Sequence, residues 1–300
     1  MDRRNFIHNT SLSVLGLSLC RPDKIFKADK PKKITTGAHV WVYASTMPGY
    51  DVSPVLSQIF SDVSYAGFDG VELMEHPLRS SSHTKQIKEL IDQHNVQLIG
   101  CSYSGEMWNK EKHSQIFEDI DLIFNNMAEV GGRTFGVTVG EPHGHEKSES
   151  EFDNQAEILK RIISLGKKKG IVINLHNHTS EVKNNLYDLR GTLKRIPDIW
   201  LGPDLNWLLR AGVDPVDFLR EFRSQINFLH LRDQQSNGKW PESMGEGDID
   251  FKEIASVLDE IDFEGDAIVE LAHEEGFSRT RELKDSLRMS RKFMKKSMGI

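Results

Sequence analysis

Four short stretches bring together residue types that bind ions and move protons: Leu175-His176-Asn177-His178, Gly202-Pro203-Asp204-Leu205-Asn206-Trp207, Phe228-Leu229-His230-Leu231-Arg232-Asp233 and Val269-Glu270-Leu271-Ala272-His273. Each contains or follows an apolar run of strand length. Histidine nitrogens and carboxylate oxygens with open positions suit a divalent transition metal or a harder ion such as Mn²⁺ or Mg²⁺. Taken singly, each residue has an ordinary explanation. A histidine at a strand end often hydrogen-bonds its own loop, and an aspartate after Gly-Pro commonly caps a turn. A His, an Asp, a His and a Glu on four consecutive strand ends are harder to explain that way, because clustered carboxylates repel one another without a cation. Glu141, in Val139-Gly140-Glu141-Pro142-His143-Gly144-His145, follows an earlier apolar run and is expected to face the same point. A divalent ion that polarises a carbonyl needs a side chain to take the adjacent proton, and Glu270, His178 and Glu141 are the candidates.

Bringing those ends to one side of a molecule requires parallel strands. The candidates are Gly37–Tyr43, Gly70–Met74, Val96–Cys101, Thr134–Val139, Ile171–Leu175, Trp200–Asp204, Phe228–Leu231 and Ala267–Leu271. Helical spacing separates them: Val55, Ile59 and Val63 form one stripe, Ile116, Ile120, Ile123 and Met127 a second, and Ile254, Val257, Leu258 and Ile261 a third. Asp250 precedes the last of these and is expected to cap it. Strands alternating with helices of this length imply βαβ units. Eight such units suit an α/β fold of one domain, a (β/α)₈ TIM barrel over residues 31–300, with Arg279–Ile300 as its last helix. An open doubly wound sheet is set aside because no Gly-rich dinucleotide loop follows the first strand. In a closed barrel, chemistry sits at the C-terminal strand ends, where the polar stretches fall.

The 300 residues carry 38 Lys+Arg against 45 Asp+Glu, a formal charge of −7 that argues against nucleic acid as a partner. The Lys/Arg cluster near the C-terminus is read as a solvated helix face. Two cysteines, Cys20 and Cys101, provide no disulfide framework. Residues 1–30 read as a leader: Arg3-Arg4, a short apolar stretch from Ser11 to Cys20, then a lysine-rich segment. The paired arginine points to twin-arginine export and a periplasmic location. The apolar stretch is far below the roughly 20 residues needed to cross a bilayer, so no stable membrane span is expected. Leu19 is not the small residue that a lipid-anchor site wants before Cys20, so export without lipidation is favoured. Cys101 would then be the remaining thiol, packing the end of a strand.

The run Phe228–Asp233, the segment Met244-Gly245-Glu246-Gly247-Asp248-Ile249-Asp250-Phe251 and Ala267-Ile268-Val269-Glu270 together resemble the xylose-isomerase-like family of sugar isomerases and epimerases. Gly67-Phe68-Asp69-Gly70-Val71-Glu72-Leu73 resembles its second strand and Gly202–Gly212 its sixth, so the likeness extends over Gly37–Glu275. The resemblance implies that His176, Asp204, His230 and Glu270 hold a divalent ion: Mn, Mg, Co or Zn. The sequence departs from the family at His176, where its sugar epimerases usually carry a glutamate within Glu-Asn-His. Here the segment is His176-Asn177-His178, which fits a subset of the family. Epimerases with one carboxylate on each face of the substrate remove a proton with one and return it with the other. This chain keeps Glu270 without that partner, which puts two-glutamate epimerisation in question.

The expected activity is therefore divalent-metal-dependent proton abstraction beside a carbohydrate carbonyl, as a sugar isomerase or epimerase. The alternatives are a metal-dependent lyase or dehydratase that eliminates the aglycone of a 3-keto-glycoside, and a non-catalytic sugar-binding protein. The family is also related to endonucleases acting at abasic DNA, which would need a basic groove and more ligands than this chain offers. Trp41, Trp207 and Trp240 offer apolar faces to a sugar ring, with core or loop packing as the equal alternative. Arg232, Lys239 and Glu246 offer polar contacts. The partner expected is a small carbohydrate, and the sequence leaves an oligomer open.

Overall fold

The computed structural model describes residues 34–300. The leader expected over residues 1–30, with Arg3, Arg4 and Cys20, lies outside the described residues. The chain alternates strand and helix in the order β1 (Ile34–His39), α1 (Trp41–Ala44), α2 (Leu56–Ala66), β2 (Gly70–Met74), α3 (Ser81–His94), β3 (Gln97–Ser104) and α4 (His113–Glu129). It continues with β4 (Thr134–Thr138), α5 (Glu149–Lys169), β5 (Val172–Leu175), α6 (Thr179–Leu193), β6 (Trp200–Leu201), α7 (Leu205–Arg210) and α8 (Pro215–Glu221). β7 (Phe228–Leu231), α9 (Phe251–Glu260), β8 (Gly265–Val269) and α10 (Leu283–Phe293) complete it.

Eight parallel strands form one sheet in the order β6-β5-β4-β3-β2-β1-β8-β7. The first and last meet through single bridges, Leu201 with Ile226 and Asp204 with His230, so the sheet closes into a (β/α)₈ barrel. Sequence and structure differ at several strand ends. β1 stops at His39 and the chain turns at once into α1, so Trp41 is helical rather than part of the strand. β6 pairs over only Trp200 and Leu201: the Gly202 N–H still donates to the Leu175 carbonyl at 2.9 Å, and Pro203, which has no N–H, ends the ladder before Asp204. β3 runs on to Ser104, which makes Cys101 a buried mid-strand residue.

The helices form where apolar stripes and caps coincide. α2 buries Leu56, Ile59, Phe60 and Val63, and Gly67 ends it at φ 84°, a left-handed geometry that costs glycine little. Ser148 and Glu151 form a reciprocal capping box at the start of α5, and the carboxylate of Asp250 caps α9 as its position predicts. Between strands and helices lies the main apolar core, in which each fully buried Leu, Ile or Phe contributes roughly 1.5–3 kcal/mol. Ile99, Phe228 and Ile268 make a separate small cluster. Gly37 leaves room for it: a Cβ there would lie 2.6 Å from Ile99 Cδ1 and 2.7 Å from Ile268 Cδ1. Among the described residues no helix is long and apolar enough to cross a membrane.

Candidate active site

Four consecutive strands deliver His176, Asp204, His230 and Glu270 to the C-terminal mouth. His176 and Glu270 lie one residue beyond β5 and β8, His230 ends one residue before the close of β7, and Asp204 follows Gly202-Pro203 after β6. All four are buried, and one donor atom from each lies within 4.8 Å of the others. The backbone bridge between Asp204 and His230 ties two of them together directly. Asn177 fixes Asp204 from the neighbouring strand: its Oδ1 accepts the Asp204 N–H at 3.1 Å and its Nδ2 donates to the Asp204 carbonyl at 3.4 Å.

The electrostatics of this cluster set its acids against positive charge from Arg232 and His230. Burial, reinforced by the His230 and His178 rings, holds the His176 imidazole well below its ordinary pKa of 6.5, so it is neutral and able to donate a lone pair. Burial likewise raises Asp204 from 3.8, against the pull of Arg232. Burial alone would raise Glu270 too, but Arg232, His39 and His230 outweigh it and keep that carboxylate well below 4.5. For His230, burial lowers the pKa, and the Glu72 and Glu270 carboxylates overcome it and raise it to about 10. Arg232 donates to Glu270 Oε1 and lies 3.3 Å from Asp204 Oδ2, so a fixed cation already stands beside the acids.

A divalent ion fits these residues on two independent grounds. The Nδ1 atom of His176 is buried and has no hydrogen-bond partner among the described residues, while Nδ1 of His230 faces Glu270 Oε2 at 2.8 Å as an ion pair. Buried polar atoms are normally satisfied, so an orphaned imidazole nitrogen beside two carboxylates calls for a ligand. The donor set of two imidazoles and two carboxylates is also one that divalent transition metals take.

The other residues marked in the sequence are placed variously. His178 is exposed at the mouth, its ring 5.3 Å from that of His176 and 5.6 Å from that of Trp207. Trp207 and Trp240 meet edge to face at 5.8 Å, and the guanidinium of Arg232 lies over both rings. Arg210 stacks on Trp240 at 4.0 Å, and Trp240 Nε1 donates to Asn206, so packing already engages much of this ring. Trp41 leaves the cluster to pair with Tyr50 at 5.3 Å. Glu141 is not gathered into the site: it is exposed and ion-paired to Lys183 at 2.8 Å, because the chain turns away at Gly140 after β4. Lys239 is exposed on a turn anchored by Asn237. Glu246 accepts the Ser243 N–H and hydroxyl and pairs with Arg281, a turn-fixing arrangement.

Two residues with no role assigned from sequence, His39 and Glu72, contact the cluster, and a third, Asp233, organises the loop after β7. His39, at the end of β1, accepts the Trp41 N–H on Nδ1, which leaves Nε2 to donate to Ser102 at 2.8 Å. Burial lowers its pKa, and Nδ1 stands 3.9 Å from Glu270. Glu72 on β2 lies 2.5 Å from His230 Nε2. Asp233 gathers the N–H groups of Gln234, Gly245 and Gly247 at 2.8, 2.8 and 3.0 Å, which explains the Gly-Glu-Gly-Asp segment as a loop wrapped around one carboxylate. The strand-end rule that finds His176 misses His39, because the first strand is expected to run on to Tyr43 whereas it stops at His39. A lone acid between Val71 and Leu73 was the available signal for Glu72.

A closed parallel barrel with a His/Asp/His/Glu cluster at its mouth matches the model of the xylose isomerase-like TIM barrels over residues 60–294, and the chain belongs to that family. Similar curated proteins include the inosose dehydratase of Clostridium tetani, 23% identical with 92% of this chain and all 100% of that protein covered. Inosose dehydratase 2 of Bacillus cereus is also 23% identical, over 85% of this chain and 93% of its own. Among solved structures, a D-allulose 3-epimerase from Methylomonas superposes with a TM-score of 0.72 at 17% identity, covering 89% of this chain and 99% of the other. A 3-keto-D-glucoside 4-epimerase from E. coli gives 0.68 at 17% identity, covering 88% and 99%. At such identities the structures establish the shared fold.

Proposed function

We propose that this protein removes the proton beside the keto group of a sugar or cyclitol and then expels a substituent from the next carbon, acting as a dehydratase or lyase. The observation that carries the reading is His176. Burial keeps this side chain neutral, and the family resemblance puts it at the position where the sugar epimerases usually carry a glutamate. His176, Asp204, His230 and Glu270 would hold a divalent ion. When bound, that ion polarises the substrate carbonyl and makes the neighbouring C–H acidic.

The side chains divide the remaining work. Glu270, kept ionised by Arg232, accepts the α-proton. Arg232 holds that carboxylate in place and provides positive charge beside the developing enolate oxygen. As the electrons return, the bond from the β-carbon to its oxygen breaks, and His178 at the open mouth gives a proton to the departing oxygen. The products are an unsaturated ketone and water or an alcohol. Trp207 borders this side of the mouth and gives a ring an apolar wall. The relatives named inosose dehydratase support elimination from a keto-cyclitol. Isomerisation or epimerisation is the second reading, supported by the epimerase neighbours. Should residues 1–30 direct export, a free or glycosidic keto-sugar is favoured over a phosphorylated one, because phosphorylated sugars are intracellular.

The test incubates the metal-loaded protein with an inosose and with a 3-keto-glucoside in deuterated water. Release of water or aglycone with formation of an enone supports elimination. Deuterium in an otherwise unbroken, isomerised sugar replaces it with the second reading. No exchange and no product from either substrate sinks both.

A further inference from the structure

We propose that Glu72 is a positioning residue for the ion site: its carboxylate, sealed beneath the barrel mouth, holds His230 in the one tautomer that turns the Nδ1 lone pair toward the shared ligand point. The inference deepens the ion reading above and rests on it. Glu72 is 1% exposed on β2, and His230 reaches across to it from β7 with Nε2 2.5 Å from Oε2. With Nε2 so engaged, Nδ1 is left for the ion. It lies 2.8 Å from Glu270 Oε2, a second proposed ligand, so both atoms already converge on one point. An ion bound there would replace the proton that the imidazole and the carboxylate share in its absence.

Residue type supports the same conclusion. A buried carboxylate loses much solvation, and an apolar pair of similar volume in its place is often neutral or stabilising, so Glu72 is poorly explained as core filling. A carboxylate behind a ligating imidazole fixes ring orientation and raises the basicity of the ligating nitrogen. The second-strand segment that includes Glu72 would then owe its acid to the ion site on the far side of the barrel.

The experiment measures Co²⁺ and Mn²⁺ affinity of the full chain by calorimetry in wild type and Glu72→Gln, a change that keeps shape and removes charge. The dissociation constant is expected to rise by about 10–100-fold while the folded fraction binds with unchanged stoichiometry. A purely structural role would lower the melting temperature of the ion-free variant and leave the affinity of its folded fraction within twofold, and that result overturns the proposal. Should Glu72→Gln not fold, wild type alone decides. Nitrogen-15 NMR of the Zn²⁺-loaded protein must show His230 protonated on Nε2, and a proton on Nδ1 overturns the assignment. Wild type that takes up none of the three ions overturns the ion reading and this one with it. Normal uptake with unaltered affinity in the variant removes only the role of Glu72.

Discussion

Oδ1 of Asp204 accepts the N–H groups of Asn206 and Trp207 at 2.8 and 3.0 Å and so caps α7, while Oδ2 faces Arg232 at 3.3 Å within the ligand cluster. The two readings that an aspartate after Gly-Pro invites, cap and ligand, are therefore carried by different oxygens of one side chain. Asp204→Asn tests the division. Asparagine caps a helix about as well as aspartate, so stability should fall by less than about 0.5 kcal/mol from the cap itself. The lost charge should weaken divalent-ion affinity beyond the roughly 100-fold reached by changes behind the ligands. Asp204→Ala should lose both, with a further cost of about 0.5–2 kcal/mol in urea unfolding for the cap. Equal ion affinity in wild type and the Asn variant would remove Asp204 from the ligand set. At this scale the sequence shows residues that end strands, because chain order alone puts them at the mouth. It hides partners that meet through closure: nothing local in Val71-Glu72-Leu73 announces His230, which lies 158 positions away.

Helices were legible from their apolar stripes, and α4 and α9 fall where Ile116–Met127 and Ile254–Ile261 place them. Loops were not, since their geometry follows from long-range hydrogen bonds. The Gly245–Asp248 turn illustrates this. A Cβ on Gly247 would lie 2.3 Å from Asp233 Oδ1, which backbone N–H groups hold, and 2.7 Å from the Gln234 carbonyl, which is itself backbone. Gly247→Ala should destabilise the protein by about 1–3 kcal/mol in urea unfolding, as overpacking does, and an unchanged midpoint would contradict the wrapped-loop account. The start of α5 permits a test of sign. Backbone hydrogen bonding from Ser148, joined by its hydroxyl and by His145, holds the Glu151 carboxyl down to about 2 from 4.5. A lowered acid adds stability above the ordinary value and loses it as pH falls through the lowered one. The carboxylate is largely solvated, so the charge contributes only about 0.3–1 kcal/mol. Denaturation midpoints of wild type and Glu151→Gln should differ near neutral pH and converge as pH drops from 4.5 toward 2. A gap that persists in acid would show that the charge is not its source.

The whole barrel closes at its thinnest seam, and the cluster lies on that seam. Where β1 and β8 pair over five residues, β6 and β7 meet through only the Leu201–Ile226 and Asp204–His230 bridges. The seam's amide bonds run from Leu201 to Gln225 at 2.7 Å, from Asn227 to Leu201 at 3.3 Å and from His230 to Pro203 at 3.0 Å. Of the proposed ligands, Asp204 and His230 stand on opposite sides of it, so an ion held by both would staple the barrel shut. The acids lining that seam are the part of the −7 charge that a bound cation would offset, whereas the rest remains to disfavour nucleic acid. Anything that binds the closed barrel alone stabilises it by mass action, about 2.7 kcal/mol at a free concentration 100 times the dissociation constant. In a barrel of this size that corresponds to a rise of roughly 5–10 °C in melting temperature between chelated and ion-loaded protein. Hydrogen exchange supplies the spatial half of the test. Removing the ion should speed exchange first at the amides of Leu201, Asn227 and His230, with the β1–β8 amides following only on global unfolding. A uniform acceleration across all strands would mean that the ion stabilises the barrel without closing the seam.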